Sequence, residues 1–204
     1  MSMHYYIFDY DGVLADTWAL RNEYMSKRRG ISYAEAERQG IEFFSTVHKS
    51  TKHMTDEDYA KAINFNQTYG RHFSELGYKL FEKFFEELAN LKNTKFAIVT
   101  NASTTLVGAR IKEISTTFDP ILTFEDHYSK VKKVQMVCRT WRIDIKQAYY
   151  FTDTKSDVFE LSPHFSKEKI IGCCWGYHGY DTLREILPDK QLLRTFSDIR
   201  KLNN

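Results

Sequence analysis

"HYYIFDYDGVLADT", residues 4–17, runs from an apolar, β-prone segment into three carboxylates within eight positions: Asp9, Asp11 and Asp16. Tyr5 to Phe8 has the length and residue types of a short buried strand, and Asp-x-Asp-Gly ends it in a loop. Asp and Gly favour turns on their own account, so the motif alone also reads as a solvated acidic turn. What gives it weight is the set of residues that follows other strands further along the chain.

Beyond Thr17 the pattern changes. Strand signals vanish up to about Leu91, proline is absent, and apolar residues recur at helical spacing, as in "YKLFEKFFEELANL". The spacing predicts several helices, the last over about 74–91, returning the chain to the core. Strands and helices then alternate. Strands are expected at 95–100 (KFAIVT), 119–124 (DPILTF), 148–152 (AYYFT) and 169–175 (KIIGCCW). Helices are expected at 104–114, 130–142 and 154–162, with helical pieces in "DTLREIL" and "FSDIRKL". Alternation of this kind predicts an α/β fold: a Rossmann-like parallel sheet with helices on both faces. The expected division is a core of residues 1–16 and 81–204 with a helical insertion at 17–80. An insertion directly after the first strand lies over the sheet's carboxyl edge, where open α/β sheets bind ligands.

Composition narrows the function classes. Of 204 residues, 42% are hydrophobic, enough for a core and too many for a disordered chain. Lysine and arginine total 29 against 27 acidic residues, which offers no global attraction for nucleic acid or an anionic membrane. No apolar stretch approaches the ~20 residues of a spanning helix. The start "MSMHYYIFDYDG" has no basic region, and Asp9 breaks its apolar run, unlike a signal peptide. Cys138, Cys173 and Cys174 are odd in number and lack metal spacing, which fits packing roles in a reducing, cytoplasmic compartment. Nothing fixes an oligomeric state.

The polar residues just past the strand ends form a coherent set. The first strand supplies Asp9 and Asp11, and the second Thr100, followed by Asn101 and Ala102. The fourth supplies Asp153, with Asp157 one helical turn on, and Lys130 opens the helix before it. In a parallel sheet these ends share one edge. Crowded carboxylates repel and favour a cation between them, and oxygen ligands suit Mg²⁺, which uses one or two carboxylates plus substrate phosphate. An ionised Asp is a nucleophile toward phosphorus, and a second carboxyl two residues on can serve as acid and then base. Thr100, the N–H groups of Asn101 and Ala102, and Lys130 are donors for transferring oxygens.

"FDYDGVLADT", "IVTNAS", Lys130 and "YYFTDTKSD" resemble the four motifs of the haloacid dehalogenase superfamily of aspartate-nucleophile phosphohydrolases, over nearly the whole chain. The segment "GCCWGYHGYDTLREILPD" is similar to the end of its phosphoglycolate-phosphatase-like members. The resemblance implies Asp9 as nucleophile, Asp11 as general acid/base, Thr100 as a phosphoryl ligand and Lys130 as charge stabiliser. It implies Mg²⁺ held by Asp153, Asp9 and the Asp11 backbone carbonyl, with Asp157 supporting the metal's waters, and residues 17–80 as a helical cap. The implied activity is Mg²⁺-dependent hydrolysis of a small phosphorylated metabolite through an aspartyl-phosphate. A phosphomutase of the same family and a non-catalytic binding protein are the alternatives.

The chain departs from the family pattern in three places. Thr152 stands where glycine is usual, Val13 where threonine is commoner, and "SKVKKV" lacks the usual Lys-Pro, so Lys130, Lys132 and Lys133 all compete for the lysine role. Lys130 is favoured by its place at the helix start, the others being turned around the helix at ~100° per residue. Asp16 reads as the cap of the first inserted helix. Arg21, Lys27, Arg28, Arg29, Lys49, Lys52, Arg71 and His72 read as solvated charges within reach of an anionic substrate. His48 and His53 show no metal pattern. Phe81, Phe84 and Phe85 read as core, and Trp175-Gly176-Tyr177 as either site rim or packing.

Overall fold

The computed structural model describes residues 3–46 and 54–202. In chain order the elements begin with β1 (His4–Phe8), β2 (Ala15–Asp16), α1 (Trp18–Arg29), α2 (Tyr33–Phe44), α3 (Asp56–Leu76), β3 (Lys79–Leu80) and α4 (Glu82–Ala89). They continue with β4 (Thr94–Val99), α5 (Thr104–Arg110), β5 (Ile121–Leu122), α6 (Lys130–Trp141), β6 (Ala148–Thr152), α7 (Lys155–Leu161), β7 (Ile170–Cys173), α8 (Gly179–Arg184) and β8 (Leu192–Leu193).

The main sheet runs β5-β4-β1-β6-β7-β8, and every pair in it is parallel. The fold is α/β and Rossmann-like. Its strands are apolar on both faces because both faces are covered. In β1, Tyr6 and Phe8 pack with Phe84, Phe118 and Phe151 on one side. Ile7 packs with Val99, Val134, Tyr150 and Leu161 on the other. At ~25 cal/mol per Å², two such layers supply most of the drive for folding.

β1 lies between β4 and β6, so its carboxyl end sits at the middle of the edge, flanked by the ends of the two strands that lead to Thr100 and Asp153. The chain leaves for α1 from β2 and comes back from α3 through β3. These two short strands pair antiparallel, Ala15 with Leu80 and Asp16 with Lys79, and hold the two ends of the helical stretch side by side.

The structure corrects several local expectations. A single helix does not run over 74–91. α3 stops at Gly77, whose φ of +73° is a left-handed conformation that other residues adopt at a cost. β3 follows, and a separate α4 carries Phe84 and Phe85 into the core. The strand expected over 119–124 pairs only at Ile121–Leu122, and the one expected over 169–175 ends at Cys173. β8 was not expected: two leucines are too short a run to show periodicity. Asp16 does not cap α1. It lies exposed in β2, and the N-cap position belongs to Thr17, whose hydroxyl makes no capping bond because it serves Asp11.

Candidate active site

The turn after β1 is tight. Ala15 N–H and Leu14 N–H both donate to the Tyr10 carbonyl, and Gly12 takes φ +72°. A Cβ on Gly12 would sit 1.9 Å from Asp153 Oδ2, and one on Gly176 would sit 2.5 Å from the Gly12 carbonyl oxygen. Two glycines therefore let the β1 turn and the loop after β7 close around the Asp153 carboxylate.

The side chains predicted from the strand ends meet there. Lys130 Nζ lies 2.6 Å from Asp9 Oδ2 and 2.6 Å from Asp157 Oδ2, and all three residues are buried. Thr152 Oγ1 donates to the same Asp157 oxygen at 2.8 Å and accepts the Thr154 N–H at 3.2 Å. The threonine that replaces the family's glycine thus gives Asp157 a partner that glycine cannot. Asp11 Oδ1 accepts from Thr17 Oγ1 at 2.7 Å, and Thr17 Oγ1 is 2.5 Å from the Tyr177 hydroxyl. Tyr177 was open between rim and packing in the sequence. It does both, since its N–H donates to Asp153 Oδ2 at 2.7 Å while its ring packs on Trp18 and Phe44.

Electrostatics follow from burial. Desolvation pushes Asp9 up to about 7, with Lys130 opposing and Asp157 and Asp11 adding to the rise. Burial also raises Asp11, against the Thr17 hydrogen bond and Lys130. Asp153 is held well above the carboxylate range by burial first and by Asp9 second. Its Oδ1 is buried and has no hydrogen-bond partner among the described residues. An orphaned carboxylate oxygen beside a second buried carboxylate is a place for a cation. Among the described residues no three His, Cys, Asp or Glu side chains gather closely enough to hold a metal by side chains alone. The buried carboxylates of Asp9 and Asp153 are donors of the kind that suit a hard, oxygen-seeking ion.

The three lysines separate. Lys132 is exposed. Lys133 is fully buried and reaches under the loop after β4, where Nζ donates to the Thr100 carbonyl, to Asn101 Oδ1 at 2.8 Å and to the Thr123 carbonyl at 3.2 Å. Sequence reasoning set Lys133 aside as turned away, but a residue three positions on lies on the same side of a helix as Lys130. That spacing was the available signal. In a planar trans peptide the C=O and the following N–H point in opposite directions, so anchoring the Thr100 carbonyl turns the Asn101 N–H the other way. The Ala102 N–H, expected as a phosphate donor, here donates to Thr100 Oγ1 at 3.0 Å.

Burial, then the Lys130 charge, push Lys133 down to about 7. The unfolded chain, with an ordinary lysine pKa of about 10.4, holds a proton that the folded chain releases across this window. Stability is therefore expected to rise with pH from about 7 toward 10. Lys133→Met should flatten that slope in chemical-denaturation series. Loss of its grip on the loop should also lower turnover by about 10²-fold, the scale of a small misplacement of a binding group.

The cluster opens into a cavity of about 580 Å³. Asp9, Asp11, Thr100, Asn101, Ala102, Lys130, Asp153 and Asp157 all line it. Its other wall comes from α1, α2 and α3, including Arg21, which is partly buried, and Arg28 and Arg29, which are exposed as expected of solvated charges although they border the cavity. Lys27 does face solvent, paired with Glu23 at 2.5 Å, and Arg71 is exposed. His72 packs against Tyr24. Lys49, Lys52, His48 and His53 lie outside the described residues. Cys138 and Cys173 are buried, Cys174 is partly so, and all three are free. No helix among the described residues is long and apolar enough to cross a membrane.

The family profile for haloacid dehalogenase-like hydrolases matches residues 6–160. The chain belongs to the haloacid dehalogenase-like hydrolase family. It is a hydrolase of that family by sequence, and solved structures agree on the fold. A haloacid dehalogenase-like family hydrolase from Streptococcus pneumoniae superposes with a TM-score of 0.69 at 20% identity, covering 99% of each chain. A predicted phosphoglycolate phosphatase from Haemophilus somnus gives 0.67 at 16% identity over 100% of this chain and 99% of its own. A predicted phosphatase from Clostridium acetobutylicum gives 0.69 at 15%, over 99% and 98%. A search of curated proteins finds no match to the chain.

Proposed function

We propose that this member of the haloacid dehalogenase-like family is a Mg²⁺-dependent phosphomonoester hydrolase acting on a small phosphorylated metabolite through an aspartyl-phosphate on Asp9. One observation carries the reading: Lys130 joins Asp9 and Asp157 in a buried cluster at the floor of a cavity that Asp11, Thr100 and Asp153 also line.

In this reading Asp9 attacks phosphorus and the ester P–O bond breaks. The departing alkoxide takes the proton of Asp11, whose raised pKa favours the protonated form that this step needs. Asp11, now ionised, then takes a proton from water as that water attacks the aspartyl-phosphate, releasing inorganic phosphate and restoring Asp9. Thr100, the turned Asn101 N–H and Lys130 donate to the phosphoryl oxygens. Asp9, Asp153 and the Asp11 carbonyl would hold Mg²⁺, which when bound neutralises charge on the phosphoryl group and between the carboxylates. Residues 17–80 are proposed as the cap that roofs the cavity and excludes water from it. The free cysteines support a reducing, cytoplasmic setting.

The direct test is p-nitrophenyl phosphate hydrolysis by purified protein. Turnover is expected with Mg²⁺, should vanish on EDTA treatment, and should return when Mg²⁺ is restored. Turnover that survives exhaustive chelation would remove the metal from the proposal. No turnover of any phosphoester would leave the chain a binding protein. Bisphosphate formed from a sugar phosphate would make it a mutase.

A further inference from the structure

One face of α1 is unusual. Arg21, Met25, Arg28 and Arg29 line the cavity, at the i, i+4, i+7, i+8 spacing of a single helical stripe. A stripe that lines a cavity is ordinarily apolar, and this one carries three cations, Arg21 partly buried and Arg28 and Arg29 exposed. Each guanidinium is held in place, and by a neutral group. Arg21 Nη1 donates to the Ala36 carbonyl at 2.9 Å and to Asn22 Oδ1 at 2.8 Å, and its Cζ lies 5.4 Å from the Trp18 ring centroid. Arg28 lies over Phe65 at 4.4 Å, with Nη1 3.3 Å from the Tyr24 hydroxyl. Arg29 Nη1 donates to Gln39 Oε1 at 2.6 Å. Among the described residues none of these three arginines meets a carboxylate, unlike Arg38, Arg110, Arg194 and Arg200 but like Arg71, Arg139, Arg142 and Arg184. Burial first, and the Arg29 charge least, hold the Arg21 guanidinium below its ordinary value.

The stripe also has a direction. Arg21 is at the inner end, where Trp18 packs on Tyr177, whose hydroxyl meets the Thr17 that holds Asp11. Arg28 is two helical turns further along, about 10 Å at 1.5 Å per residue. A ligand that touches both Arg21 and Arg28 is therefore longer than a two-carbon phosphate ester.

We propose that Arg28 and Arg29 receive a second anionic group of the substrate, carried about the span of a hexose away from the transferred phosphoryl group, with Arg21 facing the body between. The proposal rests on the phosphomonoester reading above and adds the substrate class to it. A guanidinium accepts carboxylate or phosphate with the same forked donors, so the chemistry assigned is a distal oxyanion.

The test is a matched panel: glucose 6-phosphate, 6-phosphogluconate and glucose 1,6-bisphosphate, with 2-phosphoglycolate as the short dianion. At least one distal-anion hexose compound is expected to exceed both glucose 6-phosphate and 2-phosphoglycolate in kcat/KM by tenfold or more. The favoured partner names the anion as carboxylate or phosphate. In the double variant Arg28→Met, Arg29→Met, checked for intact melting, the ratio to glucose 6-phosphate should fall to within about twofold of unity. A wild-type ratio near one overturns the proposal, as does a ratio that survives the double variant or 2-phosphoglycolate as the best substrate. If no phosphoester is hydrolysed, p-nitrophenyl phosphate included, the hydrolase reading fails instead. Calorimetric binding of the same four compounds to wild type and double variant then decides. Tighter binding of a distal-anion hexose compound, lost in the double variant, upholds the arginine site, and equal binding refutes it.

Discussion

Asp9→Asn is expected to abolish steady-state hydrolysis, lowering kcat by on the order of 10⁴–10⁶-fold, the scale seen when a covalent nucleophile is removed. The amide keeps the size of the carboxylate and an acceptor oxygen toward Lys130, so loss of activity would not come from a hole in the site. It removes one negative charge from a cluster where burial already pushes Asp9 up to about 7 and where Asp157 and Asp11 add to that rise. The melting temperature is therefore expected to stay within a few degrees of wild type (about 1 kcal/mol or less). Two measurements check this: p-nitrophenyl phosphate turnover and a thermal melt on the same preparation. Near-wild-type turnover in Asp9→Asn would exclude the aspartyl-phosphate, whatever the other residues do.

Lys130→Met is expected to damage both activity and fold. Its ammonium is the shared partner of two buried carboxylates, each at 2.6 Å. Removing one member of a buried ion cluster leaves the others uncompensated and costs about 3–5 kcal/mol, or roughly 10 °C in a domain of this size. The pH dependence follows from Asp9. Lys130 holds its pKa down against burial, so in the variant the folded-state pKa rises further above the unfolded value. The folded protein then binds the extra proton, and its stability falls as pH rises through that range. The deficit relative to wild type should be larger at pH 8 than at pH 6 in denaturant titrations. Lys132→Met, at an exposed position, should leave stability within about 0.5 kcal/mol. If Lys132→Met instead removed activity while Lys130→Met kept it, the lysine assignment would have to move.

Asp9, Asp11, Thr100 and Asp153 were legible as candidates because each follows a short apolar run, and a parallel sheet brings every such run's carboxyl end to one edge. Helices α1 to α3 were legible for a similar reason: between Thr17 and the next long strand no period-2 pattern occurs. The errors share a cause too. Two-residue strands such as Lys79–Leu80 and Leu192–Leu193 carry no periodicity, and their pairing is set by which strand already stands beside them. The Asp16 reading failed because a local capping rule competed with a tertiary demand: Asp11 holds the Thr17 hydroxyl, and β3 holds the β2 backbone.

Local order in the chain thus decided the α/β architecture, the acidic turn after the first strand and the family to which the protein belongs. These depend on side-chain period and on turn chemistry, which act between neighbours. Only packing in three dimensions decided that Lys130 reaches Asp9 while Lys133 slides beneath the Thr100 carbonyl, that Asp153 keeps one oxygen without a partner among the described residues, and that α1 sets three arginines beside Met25 along the cavity. Each of those outcomes depends on a distance between groups far apart along the backbone, and such a distance exists only after the sheet and the helices over it have closed on each other.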